Sequence, residues 1–183
     1  LLEALKSVGY RASWEKINEL VRLFQQAHLI GLLPEYSTSL APKTTTTDKV
    51  YAVDQGMAYA TSRANQQDIG KRLETAIYAE LMRRTANGRL ETVTSFTAPT
   101  QAREKVDFLV GDALASEPYA LYQVTVDMTA EKTRRREVGS LEVAMVKTGI
   151  KDANIITLRE ATQIKTEHGV IEVIPAWKWS LGL

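Results

Sequence analysis

The sequence predicts a mixed α/β (α+β) fold on the strength of three observations. Apolar residues recur at helical spacing from Trp14 to Ala27 and again from Ile69 to Arg84. Short apolar runs bounded by glycine, proline or polar residues, such as Lys105 to Val110, predict strands. From about residue 66 to residue 158 the predicted order is helix, three strands, helix and strand (αβββαβ), so helices and strands alternate along the chain.

The N-terminal helix has a clear beginning and a clear apolar stripe. Ser13 is a suitable N-cap for the helix that begins at Trp14. A turn rich in small and polar residues, Ser7 to Ser13, precedes it. The residues expected to lie on a core are Ile17, Leu20, Val21 and Phe24.

A short strand, His28 to Leu33, follows this helix and ends at Pro34, and Lys49 to Asp54 is interpreted as the returning strand. Helix, turn, helix and strand is the order of a winged helix, so residues 1–55 are predicted to form a winged-helix-like segment. The polar stretch between the strands, Ser37 to Asp48, is expected to be a mobile tip.

Residues 56–183 are predicted to form a second domain. Gly56 to Asn65 is interpreted as a connector, and the helix after it is expected to end near Arg84 and the turn Asn87-Gly88. The later elements are predicted to be strands Leu90–Phe96, Lys105–Val110 and Tyr119–Met128, a helix carrying Val138, Leu141, Ala144 and Met145, and strands Asn154–Leu158 and Val170–Ile174. The strand, helix and strand after residue 119 favour a parallel crossover.

The composition excludes several functional classes. Lys plus Arg number 23 and Asp plus Glu number 22, so no strong overall charge attracts the chain to nucleic acid or to a membrane surface. The chain has no cysteine and only two histidines, which excludes disulfides, thiolate nucleophiles and zinc cages. No apolar run is long enough to span a bilayer. We expect a cytoplasmic protein, and the start in an apolar pattern at Leu1 predicts that it is part of a larger one.

Several sequence blocks together resemble one known family. They are Ser13-Trp14, Leu29–Pro34, Lys49–Gly56, Gly70–Glu74 with Glu80-Leu81, Glu104–Phe108 and Val173–Trp179. In this order they are similar to the C-terminal region of a bacterial and archaeal group of AAA-type ATPases. In that family a P-loop module precedes a winged helix and a domain of unknown function, number 4143, with a restriction-endonuclease-like core. The resemblance covers nearly the whole chain, but a P-loop is absent, because Gly70-Lys71 lacks the earlier glycine and the following hydroxyl.

The resemblance implies a metal-dependent nuclease site with two of its residues changed. The restriction-endonuclease-like signature is Pro-Asp followed by Asp/Glu-x-Lys, and Glu74 and Asp107 match its first acids. On the next strand this chain has Gln123-Val124-Thr125, so an amide and a hydroxyl replace the expected acid and lysine. A neutral amide oxygen is a much weaker Mg²⁺ ligand than a carboxylate. The implied scaffold is retained and its catalysis is expected to be lost.

The acids admit other interpretations. On a strand, residues 123, 125 and 127 share a face, so a migrated site could use Glu74, Asp107, Asp127 and Lys105. Alternatively, Glu74 is solvated or pairs with Lys71 or Arg72, and Asp107 is an ordinary residue of a half-exposed strand. Glu80, nearer the centre of the helical stripe, is expected to be buried or hydrogen-bonded.

One run of positive charge could contact nucleic acid. It consists of Lys132, Arg134, Arg135 and Arg136. Glu131 and Glu137 flank it, which favours a solvated helix face and weak, nonspecific binding. The N-terminal helix carries Glu15 and Glu19, which do not suit a recognition helix. Trp177 and Trp179 are interpreted as a partner anchor or as alternate residues of a terminal strand, with one ring in the core.

Three functions are therefore considered. The first is a non-catalytic regulatory or interaction region of an AAA-type ATPase, with the P-loop module of the same parent protein as its partner and without a cofactor of its own. ATP and Mg²⁺ would then belong to that P-loop module. The second is a Mg²⁺-dependent nuclease with a migrated site, and the third is a winged-helix DNA-binding module.

Overall fold

The structure, a computed structural model, describes residues 2–7, 9–37, 48–61, 68–86, 91–112 and 117–182. It has a mixed α/β fold with a six-stranded mixed sheet and a separate two-stranded sheet, which confirms the predicted class. Within these ranges, no helix is both long enough and apolar enough to cross a membrane. The elements are α1 (Leu2–Ser7), α2 (Trp14–Gln26), β1 (Ile30–Leu33), β2 (Lys49–Ala52), α3 (Gln55–Thr61), α4 (Ile69–Thr85), β3 (Glu91–Thr97), β4 (Lys105–Asp112), β5 (Glu117–Val124), α5 (Glu131–Thr148), β6 (Asp152–Thr157), β7 (Thr162–Thr166), β8 (Gly169–Pro175) and α6 (Ala176–Leu181).

The six-stranded sheet has the order β3-β4-β5-β6-β8-β7. Strands β3, β4 and β5 pair antiparallel, whereas β5, β6 and β8 pair parallel. Helix α5 connects β5 to β6, as a parallel crossover requires. The predicted order αβββαβ and the predicted pairing of the strands that carry Asp107 and Gln123 are both confirmed.

Alternate residues of the central strands face two different helical layers. Leu109 and Leu121 are fully buried on the side of α5, together with Leu141. Phe108 and Val110 point to the opposite side, where they pack with residues of α4, of the β1–β2 hairpin and of α6. The sheet is therefore covered on both faces, and the hairpin and α4 share one of them.

The N-terminal helix begins where predicted but buries less than predicted. The Ser13 hydroxyl accepts a hydrogen bond from Lys16 N at 3.3 Å, which confirms the N-cap. Ile17 is buried, but Leu20 and Phe24 are 41% and 45% exposed, so their placement in a core is wrong. Helical spacing selects one face of α2 but cannot say how much of that face another element covers.

The β1–β2 hairpin is confirmed, since β1 and β2 pair antiparallel. Most of the predicted mobile tip between them, residues 38–47, lies outside the described residues, and so does the predicted turn Asn87-Gly88. The interpretation of Gly56 to Asn65 as a connector is wrong for its first part, because helix α3 extends to Thr61. The Asp54 carboxylate accepts hydrogen bonds from Gly56 N at 2.6 Å and Met57 N at 3.1 Å and so caps this helix. Helix α3 buries no residue, so it carries no apolar period to reveal it.

Two elements near the C-terminus differ from the prediction. Strand β7 was not predicted, because it lies at the sheet edge and Ile164 is its only apolar residue. Trp177 and Trp179 lie on helix α6 after Pro175, so the predicted terminal strand does not extend through them. One ring is in the core as anticipated: Trp179 is buried, whereas Trp177 is 59% exposed.

Candidate functional site: an acid pair bridged by a lysine

Glu74 and Asp107, called here the acid pair, meet on a single cation. Lys49 Nζ lies 3.0 Å from Glu74 Oε1 and 2.9 Å from Asp107 Oδ1. Glu74 Oε1 also accepts a hydrogen bond from Tyr51 Oη at 2.7 Å. The two acids singled out in the sequence thus share one partner, but that partner is an ammonium group of β2 that was not among the predicted site residues.

The packing of the hairpin against α4 explains how Lys49 reaches the acids. Lys49 and Tyr51 are alternate residues of β2 and therefore share a face. The Tyr51 ring stacks on Tyr78 of α4, with ring centroids 4.2 Å apart. Tyr78 in turn lies directly against Gly31 of β1, where any side chain would overlap its ring. These aromatic contacts hold the hairpin on α4 and position the Lys49 ammonium between the acids.

The charges of this cluster do not balance, because two carboxylates share one ammonium. Burial lowers the pKa of Lys49, but the attraction of Asp107 and Glu74 outweighs burial, so its pKa lies above the ordinary value. Burial raises the pKa of Asp107, and the charge of Glu74 adds to this effect, while Lys49 opposes it. The raised pKa values of Lys49 and Asp107 indicate that both side chains hold their protons more tightly than usual. Burial, and then Glu74, also raise the pKa of Tyr51, which keeps its hydroxyl a donor.

Gln123 has a structural task in the same cluster. Backbone pairing between β4 and β5 extends as far as Phe108 and Tyr122. Beyond that pair, side chains supply the hydrogen bonds between the two segments. Gln123 Oε1 accepts a hydrogen bond from Asp107 N at 3.2 Å, while Asp107 Oδ2 accepts one from Val124 N at 3.0 Å. Both polar side chains therefore satisfy backbone groups at the point where the strands separate.

A third carboxylate, Glu137 of α5, lies behind Gln123. Its side chain is almost fully buried, accepts a hydrogen bond from Gln123 Nε2 at 2.7 Å and pairs with Arg136. The Glu137 hydrogen bond is the principal cause of the raised pKa of Arg136. The sequence contained a signal for this residue, because Glu137 precedes Leu141 by one helical turn and so shares its buried face.

The residues of the predicted migrated site are not assembled around the acid pair. Strand β5 ends at Val124, so its predicted extension to Met128 is wrong, and Thr125 and Asp127 do not continue the strand face of Gln123. The Thr125 hydroxyl donates to the Asp127 carbonyl at 3.1 Å. The exposed Asp127 carboxylate accepts hydrogen bonds from Thr129, which lower its pKa. Lys105 is exposed on β4 and forms no ion pair within the described part of the chain.

The acidic side chains offer few ligands for a metal ion. Across the described ranges, no three histidine, aspartate or glutamate side chains are grouped so that they could hold one. The acid pair supplies two carboxylates, and Lys49 contacts both. The oxygen of Gln123 is engaged with the backbone of Asp107. Chemically, the arrangement ties β2, α4 and β4 together through charge.

The basic run is partly neutralised by its own helix. Arg135 pairs with Glu131 at 2.8 Å, and Arg136 pairs with the buried Glu137. Lys132 and Arg134 are exposed and have no ion pair with another described residue. These two cations of the run are therefore the ones most readily available to neutralise phosphates.

We expect weak DNA binding from this arrangement, with nonspecific dissociation constants of roughly 10⁻⁴ to 10⁻⁶ M at physiological salt, because few phosphates are neutralised at once. Binding should weaken as salt rises, because it releases counterions from the phosphates. Fluorescence anisotropy over a salt series is the measurement, with a Lys132→Gln/Arg134→Gln variant that leaves the ion pair of Arg136 intact. Nanomolar, sequence-dependent binding would instead assign the chain to the winged-helix DNA-binding class.

Glu80 behaves as predicted. Its carboxylate, 18% exposed, accepts hydrogen bonds from Arg83 and Arg84, and the bond from Arg83 is the main cause of its lowered pKa. Glu74, in contrast, pairs with neither Lys71 nor Arg72, because Lys49 approaches it from the hairpin. Neighbours along a helix were the only partners that the sequence could suggest for it.

The comparisons with known proteins give one similar protein and no family. The chain is similar to the uncharacterized protein MJ1544 of Methanocaldococcus jannaschii, with 30% identity over 183 residues that cover 97% of this chain. The chain spans 38% of the length of that relative. No family model matches the chain, and no solved structure matches it. Sequence similarity thus extends over nearly all of this chain and over little more than a third of a longer protein.

Proposed function

We propose that this chain is a non-catalytic regulatory or interaction region of an AAA-type ATP-binding protein. In this proposal residues 1–55 form a winged-helix segment, and residues 56–183 form a restriction-endonuclease-like domain whose metal site has become an ion-pair anchor. The P-loop ATPase module of the same parent protein is the proposed partner. The observation that carries the loss of catalysis is the Lys49 ammonium between Glu74 and Asp107.

An ammonium in this place competes directly with a magnesium ion. Mg²⁺ binds hard oxygen ligands in a near-ideal octahedron, and the negative charge of those ligands sets its affinity. Lys49 already neutralises one of the two charges of the acid pair and contacts both carboxylates. A metal ion would have to displace it, and the amide of Gln123 supplies no charge in compensation.

The amide at position 123 also suits Glu137 better than a carboxylate would. Gln123 donates to the Glu137 carboxylate from Nε2, at 2.7 Å and out of contact with water. A glutamate at position 123 would place two carboxylates in that contact, and like charges at such a distance repel strongly. The residue that a nuclease would need is thus disfavoured by the core around it, which supports a degenerate site.

The fold assignment within the proposal rests on the order of the elements. Helix α2 and the β1–β2 hairpin have the succession expected of a winged helix. Helix α4, strands β3 to β5, helix α5 and strand β6 follow the αβββαβ order of the proposed core. The link to an AAA-type ATPase rests on the sequence blocks described above, from Ser13-Trp14 to Val173–Trp179.

A nuclease assay tests the proposal. The 183-residue chain is incubated with single-stranded, duplex and branched DNA in Mg²⁺ or Mn²⁺, beside a Glu74→Gln/Asp107→Asn variant prepared identically. We expect no cleavage beyond that of the variant, and calorimetry should detect no Mg²⁺ binding tighter than about millimolar, because the charge of the acid pair is already engaged.

Cleavage by the unmodified chain that the paired variant lacks would contradict the proposal. It would favour the second candidate, a Mg²⁺-dependent nuclease, for which the specific observation is that Glu74 and Asp107 converge on one cation. In that case metal would displace Lys49, and cleavage should be retained or increased in Lys49→Ala. If the unmodified chain cleaves DNA and Lys49→Ala does not, Lys49 would itself be needed for cleavage, and the degenerate site would again be contradicted.

A further inference from the structure

A cavity of about 400 Å³ lies beside the acid pair, between β2, α3 and α4. Its polar lining comes from Lys49 and Tyr51 of β2, from Gln55 of α3, and from Lys71, Arg72 and Thr75 of α4. Small-molecule sites in proteins are typically concave and about 300 to 1,000 Å³ in volume. The cavity is large enough for a ligand of roughly nucleotide size, and the acid pair with Lys49 and Tyr51 accounts for only part of its lining.

Gln55 has a buried amide nitrogen with no hydrogen-bond acceptor in the described part of the chain. Buried polar groups are nearly always paired, so an unpaired one in a residue that lines a cavity needs an explanation. An acceptor atom supplied by a bound molecule would satisfy this nitrogen after a small rotation of the side chain. The orphaned amide therefore points to a ligand that carries hydrogen-bond acceptors.

The charges around the cavity indicate that this ligand is an anion. The Arg72 guanidinium lies 5.3 Å from the centre of the Tyr59 ring and forms no ion pair with another described residue. Lys71 contacts Asp68 at 3.4 Å through largely exposed side chains, which is a weak pairing in water. Glu74 also borders the cavity, but its carboxylate is engaged by Lys49, which it shares with Asp107. Arg72 and Lys71 are thus two cations of the lining without a strong ion pair.

We propose that this cavity binds a phosphate monoester, with Gln55 donating a hydrogen bond and Arg72 and Lys71 supplying positive charge. Hydrogen bonds from a guanidinium to phosphate are strong and directional. The apolar lining from Val50, Ala52 and Ala58 contacts the remainder of the ligand. This site is separate from the proposed loss of nuclease activity, because it requires neither metal binding nor cleavage.

Calorimetry on the 183-residue chain tests the site with four probes. They are adenosine 5′-monophosphate, ribose 5-phosphate, adenosine and a 5′-phosphorylated oligonucleotide. We expect the phosphorylated compounds to bind and adenosine not to bind. Tighter binding of the oligonucleotide than of the nucleotide assigns the phosphate to a nucleic-acid end, and weaker binding assigns it to a small molecule, while both outcomes support a phosphate site.

Three variants distinguish this site from general charge attraction. Arg72→Gln and Gln55→Leu are each expected to weaken phosphate binding at least tenfold. Lys147→Gln, which removes the same charge from an exposed position of α5 outside the basic run, should leave binding unchanged. Equal affinity in all three variants, or the failure of every phosphorylated probe to bind the unmodified chain, overturns the proposal.

The melting temperature of Gln55→Leu distinguishes a ligand-binding role of Gln55 from a structural role. Because this substitution removes an unpaired buried donor, the melting temperature should stay the same or rise while phosphate binding is lost. A lowered melting temperature with unchanged binding would mean that Gln55 serves packing alone, and would overturn its proposed role. If Gln55→Leu does not fold, phosphate binding by Arg72→Gln tests the site, because Arg72 is exposed.

Discussion

Replacing Lys49 by methionine is expected to lower the free energy of unfolding at pH 7 by about 3 kcal/mol, because the substitution leaves two neighbouring carboxylates without a cation. Complete burial would make the loss larger, but the Lys49 side chain keeps 35% of its surface exposed and water screens the charges partly. Urea unfolding followed by circular dichroism measures the change. Lys105→Met, which removes an exposed lysine from strand β4, should change stability by less than about 0.5 kcal/mol.

The cost of Lys49→Met should shrink as the pH falls from 7 towards the raised pKa of Asp107. The folded-state pKa of Asp107 lies above its ordinary value of 3.8, so its contribution to stability is complete at low pH and is lost as the pH rises through the folded pKa. Removing Lys49 moves that pKa further upward and brings the loss closer to neutrality. In the unmodified chain the pKa of Lys49 is raised, so the stability that its charge contributes is lost only as the pH rises above 10.5.

Two results would contradict this explanation. One is an equal effect of Lys49→Met and Lys105→Met. The other is a Lys49→Met cost that does not depend on pH. In the triple variant Lys49→Met/Glu74→Gln/Asp107→Asn the repulsion is removed with the cation, so much of the lost stability should return.

Replacing Glu137 by alanine is the second large effect, again expected to be about 3 kcal/mol of unfolding free energy, because it leaves the buried amide of Gln123 without its acceptor and opens a small cavity. Glu131→Ala is the matched control, because it removes a glutamate from the same helix that also pairs with an arginine. The Glu131–Arg135 pair is 64% and 80% exposed, so its loss should cost under about 1 kcal/mol.

Glu137→Gln separates the two roles of this side chain. An amide at position 137 can still accept the hydrogen bond from Gln123, but it loses the charge that pairs with Arg136. We expect a stability between those of the unmodified chain and Glu137→Ala, measured by the same urea unfolding. If Glu137→Ala were as mild as Glu131→Ala, the buried network from Asp107 through Gln123 to Glu137 would not contribute to stability as described.

Local signals predicted much of the fold. The Ser13 cap, the helical spacing in α4 and the apolar run of β4 all depend on neighbours within a few residues, and the structure contains each of them. The misplaced elements lacked such signals. Helix α3 buries nothing, and β7 is a polar edge strand. The length of β5 was overestimated for a different reason. The strand ends at Val124, but Thr125 N still donates a hydrogen bond to Ile156 O at 3.0 Å, so the backbone continues in a strand-like way beyond the strand itself.

The family resemblance singled out Glu74, Asp107 and Gln123, and local periodicity predicted the helix and the two adjacent strands that carry them. Only the tertiary structure decided which cation the acids share. Lys49 is 25 residues from Glu74 and 58 from Asp107 and comes from a separate sheet. Periodicity tells which face of an element a side chain occupies, but the charge it meets depends on how remote elements pack. Here the stacking of Tyr51 on Tyr78 brings that lysine to the acids.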